Sequence, residues 1–279
     1  MQYIFTSVVG RSGQFSLADT LNRYGIKCYA EAEPPDLLIK GKYVPKWLRY
    51  IQRKYIVTNE MLGRGKALKW YDENKTDKLD YIVSKKIDRI NSLKNKKQFS
   101  TYIEVSKFFQ RTQFESFYRK IPTLGLIKLT RDPISNAKSF LNRNKLFYLD
   151  NNFPESPNNC LNLPVNELSQ FQLYLWSWFE IELRFHRFVK TYNINRIFKI
   201  KTEDLNSKKR IVELFEYFNI DYNYPENIHV LNTNISKGFS KTIIDKKDIT
   251  EYKLFLKKVP KDAIDKIEYL NDFSISDMI

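Results

Sequence analysis

The chain has 279 residues, of which 42% are hydrophobic and 15% aromatic, and this content of apolar side chains excludes global disorder. The formal net charge of +15 comes from 47 Lys and Arg against 32 Asp and Glu. We interpret it mainly as a Lys-rich solvated surface, although such an excess also attracts anions: nucleic acid, an anionic membrane, an acidic glycan or a phosphorylated cofactor. The two cysteines and two histidines lie in no recognisable motif, which gives no basis for a disulfide scaffold, a metal site or a Ser-His-Asp triad.

The first predicted unit consists of a strand, a loop and a helix. Residues 3–9 are apolar and β-branched and predict the strand, residues 10–16 predict the loop, and residues 17–24 predict a helix that ends at Gly25. A second strand is predicted at 26–30. The unit places a glycine-bounded loop directly before a helix N-terminus.

The rest of the chain continues this alternation of helices and strands. A helical insertion is predicted at about residues 40–97, a surface loop rich in Asn and Pro at 144–165, and a peripheral C-terminal extension at about residues 240–279. Further strands are predicted at 101–105, 124–130 and 196–201, and further helices from about residue 134, at 166–189 and at 209–218. We therefore expect a single α/β domain over residues 1–279.

The loop at residues 10–16 (GRSGQFS) predicts a site for a phosphate-like group. Backbone N–H groups converge at a helix N-terminus, where the helix dipole adds roughly half a positive charge. The two glycines allow close approach of a ligand, and Arg11 adds a guanidinium fork. The Lys and Ser/Thr of a Walker A loop are missing, since Gln14 and Phe15 follow the second glycine, and there is no GxGxxG pattern. A glycine turn used only for chain reversal is the alternative interpretation.

A second basic element follows the apolar strand at 124–130. Arg131 comes directly after that strand, at the carboxyl end where ligands bind in open α/β sheets. Pro133 suits the first turn of the next helix, and Ser139 lies about two turns further on. Basic and hydroxyl groups at two strand ends suit a ligand with two separated phosphates. An Arg131 that pairs with Asp132 or caps a neighbouring segment is the alternative.

Three segments together resemble the sulfotransferases that use 3′-phosphoadenosine 5′-phosphosulfate (PAPS). The residues GRSG at 10–13, after an N-terminal strand, resemble their 5′-phosphosulfate loop, and LTRDP at 129–133 with Ser139 resembles their 3′-phosphate motif. The segment FKIKTEDL at 198–205, followed by a helix, resembles their later strand–Glu-Asp-Leu–helix segment. The three matches occur in family order and cover roughly residues 1–235.

The resemblance implies a P-loop-NTPase-like three-layer α/β sandwich with a central parallel sheet, PAPS as co-substrate and no metal. It implies that Arg11 stabilises the leaving phosphate. The residues implied to bind the 5′-phosphosulfate are Arg11, Ser12, Gly13, Gln14, Phe15 and Ser16, and those implied to hold the 3′-phosphate are Arg131 and Ser139. Lys237, in a segment at 232–238 that resembles a late loop of some members, is expected to approach the same phosphate.

Sulfuryl transfer also needs a general base for the acceptor's proton. The segment YIEVSK at 102–107 resembles the Glu-Lys-Ser segment of glycan sulfotransferases that use a Glu base. The resemblance implies Glu104 as the base, with Lys107 nearby to tune it. A Glu–Lys surface pair at a helix start is the alternative.

The implied function is sulfuryl transfer to a hydroxyl or amine of a glycan, lipid or small metabolite. A P-loop nucleotide kinase-like enzyme and a basic nucleic-acid-binding protein are the alternatives; the first lacks the Walker lysine, and the second rests only on charge and aromatic content, so no nucleic acid is expected as partner. No signal peptide and no run of about 20 apolar residues is visible, so we expect a cytoplasmic protein without a membrane span. The acceptor and the oligomeric state stay open.

Overall fold

The computed structural model describes residues 1–31, 46–143, 146–223 and 243–273. Its sheet has five parallel strands in the order β2-β3-β1-β4-β5. The strands are β1 (Gln2–Val8), β2 (Cys28–Ala30), β3 (Thr101–Val105), β4 (Gly125–Thr130) and β5 (Ile197–Lys201). The predicted α/β class with a central parallel sheet is confirmed. Because β1 lies between β3 and β4, the segments that follow these three strands meet at one edge of the sheet.

Eleven helices of the α type lie within the described residues, and those numbered α2 to α4 fall between β2 and β3, in the predicted helical insertion. The helices are α1 (Gln14–Arg23), α2 (Lys46–Ile51), α3 (Lys66–Asp72), α4 (Thr76–Lys97), α5 (Phe114–Lys120), α6 (Pro133–Leu141), α7 (Gln170–Tyr192), α8 (Lys208–Phe218), α9 (Lys246–Leu256), α10 (Lys261–Asp265) and α11 (Glu268–Asn271). Among the described residues, no helix has both the length and the apolar character needed to cross a membrane.

The helices cover both faces of the sheet. One face packs against α1 and α8, where Leu17 and Phe215 join Ile4 in a buried apolar cluster. The other face packs against α4, α5 and the end of α7, with Phe5 and Phe117 at 0% exposure. Burial on both faces explains why the strands read as nearly continuous apolar runs.

Two parts of the chain differ from the sequence-based expectation. The segment 146–165, part of the predicted surface loop, exposes Leu149 and Phe153 but is partly buried, because Asn152 is fully buried and Asn159 nearly so, and their amides are hydrogen-bonded inside the protein. The C-terminal segment is not merely peripheral, since Tyr252 and Phe255 of α9 belong to the buried cluster around α7. The many Asn and Lys residues of these segments gave no sign of this burial, because polar groups can be buried when each has a hydrogen-bond partner.

Candidate functional site

The loop between β1 and α1 has an unusual backbone. Gly13, the residue before α1, has a φ of +76°, which glycine adopts freely. Arg11 has a φ of +71°, a left-handed conformation that costs a residue with a Cβ of order 1–3 kcal/mol. Such strain clusters at functional sites. Glycine would avoid the strain at position 11, but it would not provide the guanidinium group of Arg11.

Contacts from α6 and from the end of β5 hold this loop in place. Asn136 of α6 donates through Nδ2 to the carbonyl of Gly10 and to Oγ of Ser12, both at 2.9 Å. The Thr202 hydroxyl donates to the carbonyl of Ser12 at 3.1 Å. The loop shape is therefore fixed by tertiary contacts as well as by its own sequence.

Arg131 and Ser139 meet Arg11 at the same edge of the sheet. Nη1 of Arg131 donates to the carbonyl of Arg11 at 3.0 Å, and Nε of Arg11 donates to Oγ of Ser139 at 3.0 Å. Asp132 does not pair with Arg131; its carboxylate caps α6 by accepting from the backbone N–H of Ser135 at 2.6 Å. The structure thus brings together the two basic elements that the sequence places 120 positions apart.

Positive charge is concentrated at this cluster. Burial, together with the positive charges of Arg143 and Arg131, lowers the pKa of Arg11 to about 10. Within the part of the chain that the structure describes, Arg11, Arg131 and Arg143 form no ion pair with a carboxylate. Three guanidinium groups gathered without a counter-charge are unfavourable on their own, and a bound anion would relieve their repulsion.

The residues after Gly13 take separate roles. The side chain of Gln14 is buried and donates through Nε2 to Oε1 of Glu31 at 3.3 Å. Phe15 packs against the apolar cluster under α1, so it can offer a ligand only its backbone N–H. Ser16 lies half-buried in the first turn of α1. The prediction that these three bind the donor is not tested by these contacts.

Lys107 lies against the first residue of the loop. A Cβ added to Gly10 would lie 2.8 Å from Cδ of Lys107 and 2.8 Å from Cζ of Phe140, so the lysine stem fills the space that this glycine leaves. Nζ of Lys107 donates to Oδ2 of Asp150 at 2.9 Å. Lys107 follows β3 in the chain, so it is a fourth cation at this edge of the sheet.

Glu104, the base implied by the resemblance, lies in the buried interior of the protein. Its side chain is 0% exposed, and its two carboxylate oxygens accept from Nζ of Lys86 and from the hydroxyl of Tyr102, both at 2.7 Å. Residues alternate between the two faces of a strand, and Glu104 points to the face opposite α1, beside Phe5. Glu104 thus belongs to a buried ion pair with Lys86, and its assignment as the base stays a prediction.

Glu31 is a carboxylate that the sequence reasoning missed. It directly follows β2, its φ is +50°, and it accepts the hydrogen bond from Gln14. Burial lowers the pKa of Lys107, and the negative charge of Glu31 offsets part of that lowering. A usable signal was present, because Glu31 stands at the carboxyl end of a predicted parallel strand.

Two solved structures share the fold over nearly the whole chain. The sulfotransferase domain from the curacin biosynthetic pathway matches with a TM-score of 0.52 and 15% identity, covering 98% of both chains. A sulfotransferase from Alicyclobacillus acidocaldarius matches with a TM-score of 0.51 and 10% identity, covering 100% of this chain and 98% of that chain. The chain has the sulfotransferase fold. No protein-family model and no curated protein matches the sequence.

Arg11, Arg131 and Ser139, which are predicted to bind a donor with two phosphate-type groups, lie together on this fold. Arg11 is the common partner, since it accepts from Arg131 through its carbonyl and donates to Ser139 through Nε, directly before the start of α1. The described residues contain no cluster of three or more His, Cys, Asp or Glu side chains that could hold a metal ion. Lys237, the remaining predicted donor-binding residue, lies outside the described residues.

Proposed function

We propose that the protein is a sulfotransferase that moves a sulfuryl group from PAPS to a hydroxyl or amine of an acceptor. The observation that carries this proposal is the cluster of Arg11, Arg131 and Arg143, which has no carboxylate partner among the described residues and lies at the loop before α1. A bisphosphorylated nucleotide supplies two anionic groups to such a cluster. The sulfotransferase fold supports the same ligand.

The chemistry asks the protein to position two reactants and to carry developing negative charge. The bond between sulfur and the donor's phosphate oxygen breaks while the acceptor oxygen or nitrogen bonds to sulfur. Arg11 and the N–H groups at the start of α1 would stabilise the charge left on the phosphate. Lys107, packed against Gly10, would face the sulfuryl group from the side of β3.

Glu31 is our candidate for the base that takes the acceptor's proton. Gln14 donates to the Glu31 carboxylate from the start of α1, and the negative charge of Glu31 interacts with Lys107. Glu31 therefore lies closer to the proposed reaction than the buried Glu104 does. A strained, left-handed backbone at Glu31 is a further sign of a functional position.

Labelled donor tests the function. PAPS carrying ³⁵S is incubated with the protein and a panel of glycan, lipid and small-molecule alcohols and amines, with ATP–Mg²⁺ carrying γ-³²P as the competing donor. We expect ³⁵S in one class of acceptor and a loss of about hundredfold in kcat/KM for PAPS in Arg131→Ala, because a charged contact is worth roughly 3 kcal/mol. Transfer of ³²P without transfer of ³⁵S would establish a kinase instead.

A further inference from the structure

We propose that Asp150 is a positioning residue that holds Lys107 at the sulfuryl-transfer site. Two of the contacts of its carboxylate are with cations: Oδ2 accepts from Nζ of Lys107 at 2.9 Å, and Oδ1 accepts from Nη2 of Arg64 at 3.1 Å. The inference rests on the proposed function, since it assigns a role to Lys107 in that reaction.

Lys107 needs such a partner because of where it lies. Its side chain is only 13% exposed, and its stem is enclosed by Gly10 and Phe140 on one side and by the ring of Phe108 at 4.7 Å from Nζ. Burial, and to a smaller extent the charge of Arg111, lowers the pKa of Lys107, and the charges of Asp150 and Glu31 offset part of that lowering. The ion pair with Asp150 thus favours the charged ammonium and fixes its direction.

Hydrogen bonds of the next two residues, Asn151 and Asn152, hold the segment that carries Asp150. Asn151 donates to the carbonyl of Phe147 at 2.7 Å and accepts from the hydroxyl of Ser177 on α7 at 3.0 Å. Asn152 donates to Asp72 at 2.8 Å and accepts from Arg184 at 3.1 Å. The amides of Asn151 and Asn152 are buried, so these contacts fix the backbone directly after Asp150.

Arg64 holds the other oxygen of Asp150 from the helical insertion. The preceding Gly63 has a φ of +83°, and its carbonyl accepts from Thr112 at 3.3 Å; the guanidinium of Arg64 lies 5.2 Å from the Phe108 ring centroid. The insertion and the segment after α6 therefore meet at Asp150. A carboxylate clamped by both has little freedom to leave Lys107.

A double-mutant cycle tests the role. In the ³⁵S assay we expect Lys107→Met to lower kcat by about a hundredfold, as loss of one preorganised charge does. Asp150→Asn should lower kcat by about tenfold, Asp150→Glu by less, and the KM for PAPS should change less than threefold in each. In the Lys107→Met background, Asp150→Asn should cost less than twofold, because its target is already gone.

The pH profile and a matched control separate positioning from loss of structure. Removing the charge of Asp150 lowers the pKa of Lys107 further, so the alkaline limb of kcat should move to lower pH in Asp150→Asn. Asp72→Asn loosens the same segment through Asn152 without contacting Lys107; it should lower Tm, leave the alkaline limb in place, and have the same effect with or without Lys107→Met.

Two failures are distinguishable. The first is a wild-type protein that transfers ³⁵S but whose losses in kcat in Asp150→Asn and Lys107→Met multiply in the double variant. That result would overturn the positioning role and leave the sulfotransferase proposal intact. Wild-type protein that binds no adenosine 3′,5′-bisphosphate in calorimetry would overturn the proposed function, and the role of Asp150 with it. Unchanged kcat in Asp150→Asn would also overturn the positioning role.

Discussion

Replacing Arg11 with glycine should make the ligand-free protein more stable while abolishing its anion site. The charged Arg11 side chain is destabilised by burial and by two neighbouring arginines, which lower its pKa to about 10. That shift corresponds to roughly 3 kcal/mol, and we take about 2 kcal/mol because the side chain keeps contact with solvent. Relief of the left-handed backbone adds about 1 kcal/mol.

Two losses offset part of this gain. The hydrogen bond from Arg11 to Ser139 is worth about 1 kcal/mol, and the freedom of glycine in the unfolded chain costs about 0.5–1 kcal/mol. We expect the free energy of unfolding of Arg11→Gly to exceed that of the wild type by about 1 kcal/mol, measured by urea denaturation in a buffer free of phosphate and sulfate.

The difference should not vary between pH 6 and pH 9. Arg11 is charged in both the folded and the unfolded state below its folded pKa of about 10, so neither state releases a proton over this range. Arg11→Lys is the control, since it keeps the charge and the Cβ and should show no gain. A less stable Arg11→Gly, or one that binds adenosine 3′,5′-bisphosphate like the wild type, would refute the view of Arg11 as a strained anion ligand.

Two further substitutions distinguish the candidate bases. Glu104→Gln should lower the free energy of unfolding by about 3 kcal/mol, because it leaves Lys86 buried without its counter-charge. The control Asp80→Asn breaks an exposed pair and should lower it by less than about 1 kcal/mol. A fully stable Glu104→Gln without turnover would instead support Glu104 as the base. Glu31→Gln should keep bisphosphate binding in calorimetry and lower kcat by about 10²–10⁴-fold, and an unchanged rate would remove Glu31 from that role.

The sequence predicted the strands well because their signal is local. Runs such as 101–105 are apolar enough to be buried on both faces, and the structure has β3 over these same residues. The meeting of Arg11 and Arg131 was also predictable, since both follow strands of one parallel sheet. Here topology alone places the side chains.

The contacts that the sequence did not reveal join residues far apart in the chain. Glu104 was assigned from its neighbours at 102–107, but its partner Lys86 comes from α4, and nothing in the local pattern marks it. Asp150 lay in a segment that composition marked as a solvated loop, and its contacts come from Arg64 and Lys107. Buried polar networks are specified by geometry across elements, so a periodicity of apolar residues cannot show them.

The most direct test of the two-phosphate site is calorimetric titration with adenosine 3′,5′-bisphosphate. Adenosine 5′-monophosphate and ATP–Mg²⁺ serve as competing ligands. Arg131→Ala is compared with the control Arg196→Ala, because Arg196 contacts the carbonyl of Thr123 at the opposite end of β4. We predict tight binding of the bisphosphate only, weakened about a hundredfold by Arg131→Ala and unchanged by Arg196→Ala. Binding of ATP–Mg²⁺ in preference to the bisphosphate, or equal binding by Arg131→Ala, would contradict the account.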